Sequence, residues 1–251
     1  MTNALLLSRR PFLLYSVYMQ HTSTPRLSVI MPVFNESYTV RAIVEKVLAS
    51  ALVCQLIIVD DGSTDDTGIV VAELVKQHGS RIVAVAHPQN RGKGAAIRTA
   101  RCAVAGDVVL IQDADLEYDP RDYQTLLAPI LSGEASVVYG SRNLIPGRRG
   151  RFFYKTGVRV LTEVSNVLYG TRLTDVNTCY KAFTSDVFRA ARLRSDRFEF
   201  CVEITAQVAK QGHAIREVPI AYHPRSHQEG KKIKPRDGFT SLWVLIRERF
   251  T

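Results

Sequence analysis

The sequence predicts an α/β fold in which a mostly parallel sheet is sandwiched by helices. Short, almost wholly apolar runs, suited to strands buried on both faces, alternate with stretches whose apolar residues recur at helical spacing. In the first half of the chain the order is strand, helix, strand, helix, strand, helix, strand, which is typical of parallel strands joined by covering helices. With 251 residues, 46% of them hydrophobic, the chain is long enough to bury one full core.

Each element follows from a local pattern. Apolar runs predict strands at 27–33, 56–59, 82–86, 108–112, 137–139 and 218–221. Helical spacing predicts helices at 35–48, 64–77, 95–103, 126–130, 160–168 and 239–250. No repeat and no linker interrupts this order. We therefore expect one domain over 26–238, followed by an amphipathic C-terminal helix over 239–251.

Residues 1–25 are expected to be a disordered extension, or not to be made at all if translation begins at Met19. The alternatives are a surface-binding segment and a poor signal peptide, because the basic pair Arg9-Arg10 stands beside apolar runs. No stretch approaches the ~18 to 20 apolar residues of a membrane-spanning helix. The four cysteines form no CxxC pair, which indicates free thiols in a reducing compartment and a cytoplasmic protein.

The chain carries a net charge of +9. A nucleic acid, an anionic membrane surface or a substrate with several phosphates would each explain this charge. The basic residues cluster in two stretches, Arg148, Arg149 and Arg151, and Lys231, Lys232, Lys234 and Arg236. They are interpreted either as solvated loops or as contacts with an anionic bilayer. The helix at 239–250 is expected either to lie in that bilayer's interface or to pack on the core.

Three polar clusters follow predicted strands, at 34–36, 60–63 and 113–117. Ligands of such sheets bind at the carboxyl ends of the strands, so we expect the clusters to lie together there. Asp113 and Asp115 are separated by one residue, and both carboxylates can turn toward one cation. Mg²⁺ and Mn²⁺ prefer oxygen ligands and share them with substrate phosphates. Glu117 is a candidate third ligand, and a solvated loop end is the alternative interpretation.

The cluster after the second strand has two interpretations. Gly62 permits a turn with positive φ, and Ser63 or Thr64 is expected to cap the following helix. Capping does not explain the adjacent carboxylates of Asp60 and Asp61. One of them is expected to accept a hydrogen bond from an N–H group of a pyrimidine or guanine ring.

A glycine-rich basic loop, Asn90-Arg91-Gly92-Lys93-Gly94, precedes the third helix. Its backbone N–H groups and Lys93 are expected to favour phosphate. The loop is not a P-loop, since His87 stands at the required first glycine and Gly94 stands where Ser or Thr is needed. No GxGxxG follows the first strand, which argues against a dinucleotide oxidoreductase.

These residues resemble family 2 glycosyltransferases of GT-A fold, and within them the dolichyl- or polyprenyl-phosphate mannosyltransferase-like branch. The resemblance spans roughly 26–238. The motifs that carry it, in chain order, are 28–36 (SVIMPVFNE), 57–65 (IIVDDGSTD), 90–94 (NRGKG), 113–117 (DADLE), 140–142 (GSR), and 217–220 (EVPI) with Arg225 and Lys231.

The resemblance implies roles for the matching residues of the donor half. Contacts with the nucleotide base and ribose are implied for Pro32, Phe34, Glu36, Val59 and Asp61. Asp113 and Asp115 are similar to the cation-binding pair, and Ala114 is similar to a residue that contacts the nucleotide through its backbone. The cofactor implied is Mg²⁺ or Mn²⁺.

Arg142 resembles the arginine that reaches the donor sugar or phosphate, and Arg225 and Lys231 resemble basic residues of a mobile loop over donor and acceptor. The activity implied is inverting transfer of mannose or glucose from a GDP- or UDP-sugar to a lipid-linked phosphate, at the cytoplasmic face of a membrane. A phosphate monoester is already anionic near neutral pH and needs little help from a general base. Catalysis is then expected to depend on positioning and charge stabilisation by the cation, Asp115, Arg225 and Lys231.

The chain departs from the branch's pattern in three respects. Glu117 stands where Gln is common, the stretch 175–180 has no Ser-Gly-Phe character, and no membrane spans follow the domain. The first two departures bear on the metal site and the donor. The third makes the chain similar to single-domain members.

Three other functions are alternatives. A glycosyltransferase acting on a sugar hydroxyl would use Asp175, Glu199 or Glu203 as its base. A sugar-nucleotide pyrophosphorylase would have a glycine-rich loop after the first strand, where Phe34-Asn35-Glu36 stands instead. A nucleic-acid binder would leave the acidic strand ends unexplained, so no nucleic acid is expected as a partner.

Overall fold

The computed structural model describes residues 26–145, 152–225 and 235–251. The strands are β1 (Leu27–Val33), β2 (Val53–Asp60), β3 (Ile82–Ala86), β4 (Val108–Ile111), β5 (Val137–Ser141), β6 (Lys181–Thr184) and β7 (Ile215–Pro219). The helices are α1 (Val40–Leu48), α2 (Thr67–His78), α3 (Lys93–Arg101), α4 (Tyr123–Leu131), α5 (Phe152–Tyr169), α6 (Ser185–Ala190), α7 (Phe200–Lys210) and α8 (Pro235–Phe250). None of these helices is long and apolar enough to cross a membrane.

Some of the predictions concern residues outside these ranges. They are the extension 1–25 and the basic residues Arg148, Arg149, Arg151, Lys231, Lys232 and Lys234.

The strands form one seven-stranded sheet in the order β3-β2-β1-β4-β6-β5-β7. In the described part of the chain, β6 runs antiparallel to its neighbours β4 and β5, while the other pairings are parallel. Helices flank this sheet. The predicted α/β class with a mostly parallel, helix-covered sheet is therefore confirmed.

The centre of the sheet is apolar on both faces, as the sequence indicated. All four residues of β4 are buried, and only Pro32 in β1 is more than slightly exposed. α1 buries apolar residues at helical spacing, Val40, Ile43, Val44, Val47 and Leu48. Removing this apolar surface from water is the main stabilising contribution, about 25 cal/mol per Å². The rigid core fixes the carboxyl ends of β1, β2 and β4 relative to one another.

The second half of the chain differs more from the predictions. α5 begins at Phe152 rather than at 160. The basic, glycine-containing sequence before 160 indicated a loop, but its residues from 152 onward are helical. β7 covers Ile215–Pro219 instead of 218–221. β6 and α6 were not predicted, and the buried Lys181 in β6 explains why no apolar run marks that strand.

The predicted capping of α2 by Ser63 or Thr64 is wrong. α2 begins at Thr67, and its N-cap residue Asp66 makes no side-chain capping hydrogen bond. Ser63 Oγ instead accepts the backbone N–H of Asn35 at 2.9 Å, and the N–H of Thr64 donates to Asn35 Oδ1 at 2.8 Å. These bonds join the loop after β2 to the loop after β1.

α8 packs on the core through one face only. Val244 and Leu245 are buried on that face, and Tyr169 Oη of α5 donates to the carbonyl of Leu245 at 2.6 Å. Phe239 and Trp243 lie on the other face and are exposed. The expectation that this helix packs on the core is therefore right for its inner face.

Candidate active site

The three polar clusters meet at one edge of the sheet. β1, β2 and β4 are adjacent and parallel, so their carboxyl ends point the same way. Side chains that follow these ends contact one another across large separations in sequence. Arg225, 189 residues after Glu36, forms two hydrogen bonds with its carboxylate, at 2.9 and 3.1 Å. The structure thus brings the predicted residues of both halves of the chain together.

Asp113 lies at the end of β4 and is paired with a lysine from the glycine-rich loop. Lys93 Nζ is 2.5 Å from Asp113 Oδ1 and 3.4 Å from Cys179 Sγ. Burial by itself lowers the pKa of Lys93, but the charge and hydrogen bond of Asp113, together with Cys179 and Cys201, raise that pKa well above its usual value. Lys93 is therefore a charged partner of Asp113.

Asp115 is paired with an arginine from the other end of the chain. Arg225 Nη2 is 3.1 Å from Asp115 Oδ2 and 2.9 Å from Glu36 Oε1, so one guanidinium bridges two carboxylates. Burial, followed by the charges of Asp113 and Glu117, raises the pKa of Asp115 to about 7 despite Arg225. Negative charge is thus crowded at this position, and a further cation would stabilise it.

Glu117 binds the segment that carries Arg225. Its carboxylate accepts Tyr222 Oη at 3.0 Å and the backbone N–H of Arg225 at 2.8 Å, and its carbonyl accepts the N–H of His223 at 2.8 Å. In this structure Glu117 anchors the 222–225 segment. Its role as a third metal ligand stays a prediction.

Two non-glycine residues beside these carboxylates have left-handed backbones. Asn35, next to Glu36, has a φ of 50°, and Leu116, between Asp115 and Glu117, has a φ of 61°. Asparagine tolerates this region, whereas leucine does so at about 1 to 2 kcal/mol. Such strain is concentrated at functional sites. Leu116 stands between two carboxylates that both contact Arg225, Asp115 through its guanidinium and Glu117 through its backbone N–H.

Asp61 is buried and serves as an anchor for the glycine-rich loop. Its carboxylate accepts hydrogen bonds from Asn90 Nδ2 at 2.9 Å, from the N–H of Arg91 at 3.0 Å and from the N–H of Gly92 at 2.6 Å. His87 Nδ1 lies 2.7 Å from its Oδ1. Since both oxygens are engaged, Asp61 orders the loop from beneath.

A cavity of about 450 Å³ opens beside this anchor. Its lining residues come from the loops after β1, β2 and β3 and are Phe34, Asp60, Gly62, Ser63, Thr64, Ala86, His87, Pro88, Gln89 and Asn90. Asp60 rather than Asp61 lines it. Gly62 is required here, because its φ is +70° and a Cβ would lie 2.4 Å from the backbone carbon of Gln89.

Pro32 and Val59 lie in neighbouring strands, and Ala114 follows β4. Val59 is fully buried in β2, opposite half-buried Pro32 of β1, and Ala114 is 3% exposed. Because the side chains of Val59 and Ala114 are buried, their backbones are the parts that a ligand could reach. The nucleotide contacts implied for all three residues stay predictions.

Arg142 follows β5 and is held by a buried carboxylate. Its Nε and Nη2 donate to the two oxygens of Asp175 at 2.6 and 2.7 Å, and its guanidinium lies over the Tyr222 ring, 5.1 Å from the centroid. The backbone N–H of Asp175 donates in turn to Glu217 at 3.0 Å. Arg142 is thereby fixed in orientation.

The other candidate bases have structural partners. Glu203 is fully buried, and its carboxylate accepts the N–H groups of Arg194 and Ser195. Burial raises the pKa of Glu203. Glu199 accepts the N–H of Arg197 at 3.3 Å. Neither contact involves Asp113 or Asp115.

Tyr118, Cys179 and Tyr222 are among the residues of the site that were not predicted. The Tyr118 ring contacts that of Tyr222, with centroids 5.3 Å apart, and the N–H of Cys179 donates to Tyr118 Oη at 3.2 Å. Burial raises the pKa of the Cys179 thiol well above its usual value, so it is neutral. Isolated tyrosines and one cysteine give no spacing signal in a sequence, which is why these residues were missed.

The donor atoms at this edge are suited to a hard divalent ion. Across the described residues, no group of three or more His, Cys, Asp or Glu side chains converges to hold a metal. Two carboxylates do face Lys93 and Arg225, and an ion bound by one or two carboxylates together with substrate phosphates is the usual Mg²⁺ arrangement. The residues present therefore fit a cation that binds together with a phosphorylated substrate.

Comparison with known proteins identifies the family. A family model described as glycosyl transferase family 2 matches residues 28–197. The chain belongs to this family. The family predicted from the motifs is thereby confirmed, and the match covers every site residue described above up to Asp175.

Two similar proteins have names that refer to a hexosyltransferase and to a galacturonate synthase. The low-salt glycan biosynthesis hexosyltransferase Agl6 of Haloferax volcanii is 31% identical over 228 residues, 88% of this chain and 53% of the relative. The dodecaprenyl-phosphate galacturonate synthase of Rhizobium johnstonii is 27% identical, covering 82% of this chain and 61% of the relative. The chain thus spans between about half and two thirds of the length of these two relatives.

Solved structures support the fold. Glucosyl-3-phosphoglycerate synthase from Mycobacterium tuberculosis, in complex with Mn²⁺, uridine diphosphate and phosphoglyceric acid, superposes with a TM-score of 0.69 at 21% identity. The superposition covers 90% of this chain and 78% of that chain. The expected GT-A fold is therefore confirmed.

Proposed function

We propose that this family 2 protein transfers a hexose, mannose or glucose, from a GDP- or UDP-sugar to a polyprenyl or dolichyl phosphate, with inversion at the sugar. One observation carries the proposal. At a single edge of the sheet, two carboxylates are each neutralised by a basic side chain from a distant element, beside a cavity large enough for a nucleoside. A divalent cation can replace the two basic side chains as the partner of these carboxylates. The freed basic side chains can then bind a diphosphate.

The cavity after β1, β2 and β3 is proposed to hold the base. Phe34 offers an aromatic face, and Asp60 offers a carboxylate oxygen that can accept a ring N–H. Asp61 supports this pocket from beneath by fixing the 90–92 loop. The sequence predicted that either Asp60 or Asp61 accepts a hydrogen bond from the nucleotide base. We propose that Asp60 is the residue that does so.

Asp113 and Asp115 are proposed to hold Mg²⁺ or Mn²⁺, with Glu117 beside them. When bound, the ion would stabilise the negative charge of the departing diphosphate. Lys93 and Arg225 are the side chains that neutralise this pair in the structure. We propose that they turn to the phosphates of donor and acceptor, with Lys231 joining Arg225 from the adjoining segment.

A phosphate acceptor is favoured over a sugar hydroxyl. Asp175 is bound by two guanidinium nitrogens of Arg142, Nε and Nη2, and Glu203 accepts the backbone N–H groups of Arg194 and Ser195. Neither is placed to take a proton from an alcohol, and a phosphate acceptor does not depend on one. The dodecaprenyl-phosphate galacturonate synthase among the relatives has such a lipid phosphate in its name. The reaction is proposed to take place at the cytoplasmic face of a membrane.

The test is a transfer assay with the full chain. GDP- and UDP-sugars labelled in the hexose are supplied with Mn²⁺, and the acceptors are a polyprenyl phosphate, the same polyprenol without phosphate, and an oligosaccharide. Label in the polyprenyl phosphate alone is expected, and EDTA should abolish it. Transfer to the oligosaccharide alone would contradict the proposal that the acceptor is a lipid phosphate. Undiminished transfer in EDTA would contradict the proposal that the reaction needs a divalent cation.

A further inference from the structure

The outer face of α8 carries a stripe of large apolar side chains. Phe239, Trp243, Ile246 and Phe250 are exposed by 77%, 61%, 47% and 84%. Their spacing of four, three and four residues places all of them within an arc of about 60° on a helix that turns 100° per residue. We call these four residues the α8 stripe. Burying such side chains is favourable because it removes apolar surface from water, so a stripe of this kind indicates a binding surface.

Charged residues of α8 are sorted by sign around this stripe. Arg236 and Arg249 are exposed and lie on opposite sides of it. The acidic residues Asp237 and Glu248 fall on the opposite face, where Glu248 is buried and accepts a hydrogen bond from Gln207 of α7. The outer half of the helix is therefore apolar in the middle and positive at both margins.

Arg247 adds to this arrangement through its contact with the stripe. Its guanidinium lies over the Trp243 ring, 5.1 Å from the centroid, while also pairing with Glu248 at 2.7 Å. The pairing reduces the charge that Arg247 presents to solvent. It also fixes the indole ring in an outward position, because the same guanidinium is held to the protein on its other side.

We infer that the α8 stripe is the surface by which this protein docks on an anionic lipid bilayer, with α8 lying in the plane of the interface. A 16-residue helix rises about 24 Å and is too short to cross the hydrocarbon core. Aromatic and aliphatic side chains flanked by arginines are the composition of interfacial helices. Anionic headgroups complement the margins, and the whole chain carries +9. A second copy is disfavoured, because stripe-to-stripe contact would bring Arg236 and Arg249 against the arginines of the other copy.

This docking surface deepens the proposed function, on which it rests only for the lipid nature of the acceptor. The chain runs from Arg225 in the site to Pro235 at the start of α8 in ten residues, which span at most about 35 Å. Docking through α8 would therefore hold the carboxyl edge of the sheet within that distance of the headgroup layer. A lipid-borne phosphate is confined to the same layer.

The experiment uses the only tryptophan of the chain, Trp243, as its reporter. The full protein, without donor or acceptor, is titrated with vesicles of phosphatidylcholine and phosphatidylglycerol and with vesicles of phosphatidylcholine alone. With the anionic vesicles we expect a blue shift of the emission and quenching by lipids brominated in their acyl chains. We expect binding to weaken with added salt and with neutral vesicles.

Variants distinguish binding through the α8 stripe from non-specific hydrophobic binding. Phe239→Ser/Ile246→Ser/Phe250→Ser keeps the reporter, and its partition coefficient should fall at least about tenfold. The matched control, Ile69→Ser/Leu131→Ser, removes exposed apolar side chains of α2 and α4 and should bind like the parent protein. Circular dichroism verifies that both variants are folded. Arg236→Glu/Arg249→Glu should lose the preference for anionic vesicles.

Three results would overturn the inference. One is vesicle binding with unchanged emission, which would place the docking surface elsewhere. Another is a triple serine variant that binds as well as the control. The third is a blue-shifted emission without vesicles, accompanied by a dimer mass in light scattering, which would show that a second copy covers the stripe. Since no substrate is present, a failure of sugar transfer with intact vesicle binding would contradict the proposed function alone.

Discussion

Two aspartates at carboxyl ends of parallel strands, Asp61 and Asp115, have opposite kinds of partners. Asp61 is bound largely by backbone N–H groups and by side chains from one neighbouring loop. Asp115 accepts one backbone N–H, that of Glu117, through Oδ1 at 3.1 Å, while its Oδ2 is bound by a guanidinium that comes from a distant segment and is shared with Glu36. Backbone donors cannot leave without unfolding the loop, whereas a long side chain can rotate away. The difference separates a carboxylate that supports the site from one that is available to a ligand.

The largest expected effect is on turnover at Asp115. Asp115→Asn should lower sugar transfer by more than about a hundredfold, because an amide is a poor ligand for the proposed cation. The melting temperature should change little, since the amide oxygen can still accept a hydrogen bond from Arg225. A transfer assay and differential scanning fluorimetry measure the two. Near-normal turnover would remove Asp115 from the chemistry.

Asp61→Asn should mainly lower the stability of the protein, whereas Asp115→Asn should mainly lower turnover. Replacing one acceptor of a buried, fully bonded carboxylate with an amide donor is expected to lower the free energy of unfolding by about 2 to 4 kcal/mol. Urea denaturation measures the change. Glu134→Gln, at a half-exposed pair with Arg216 3.6 Å away, is the matched control and should lose less than about 0.5 kcal/mol. Equal effects of the two variants would show that the Asp61 bonds contribute no special support.

Lys181 is a buried cation whose partners, like those of Asp61, belong to the folded core. It lies under the Tyr139 ring and donates to the Val176 carbonyl at 2.8 Å, and burial lowers its pKa to about 8. The unfolded chain, with a pKa near 10.4, binds more protons than the native state between these values, so stability should rise with pH from about 8 to 10.4. Relative to Lys181→Met, the parent protein should gain roughly 2 to 3 kcal/mol across this window. A flat difference in paired urea titrations would contradict the shift.

The smallest expected effect concerns the exchangeable partner itself. Arg225→Ala should strengthen Mn²⁺ binding to the substrate-free protein by about three- to tenfold, because a competing positive charge near Asp115 is removed. Turnover should fall at the same time if Arg225 serves the phosphates. Isothermal titration calorimetry measures the affinity, with Arg121→Ala, an 85% exposed side chain paired with Asp119, as control. Weaker Mn²⁺ binding in Arg225→Ala would show that the guanidinium supports the cation site instead of competing for it.

Sequence patterns captured the parts of this molecule whose cause is local. The buried strands around Ile30, Ile57 and Leu110 and the helix at 40–48 follow from apolar spacing, and the DxD pair follows from its position after a strand. The family match over residues 28–197 includes the motifs at 28–36, 57–65, 90–94, 113–117 and 140–142. These features need only neighbouring residues to be recognised.

Features decided by distant contacts could not be predicted. Nothing near Ser63 indicates that its hydroxyl accepts the N–H of Asn35, so capping was the better local inference and was wrong. The bridge from Arg225 to Glu36 joins segments 189 residues apart. Lys181 breaks the apolar run of β6, because its burial depends on a ring and a carbonyl supplied by other segments. Long-range partners set these outcomes, and one sequence does not reveal them.

The reversed direction of β6 has a consequence for how such a site can diversify. Because β6 enters the sheet where β4 ends, with Cys179 Sγ 3.8 Å from the carbonyl of Ile111, the 174–180 loop reaches the ligand edge from an incoming strand. Loops of the parallel strands at this edge each lead into a covering element, and altering them disturbs the packing beneath. In the incoming loop Thr178 is buried, whereas Asn177 is half-buried, so we expect substitutions at 177 to alter the ligand edge with the least disturbance of the packing beneath.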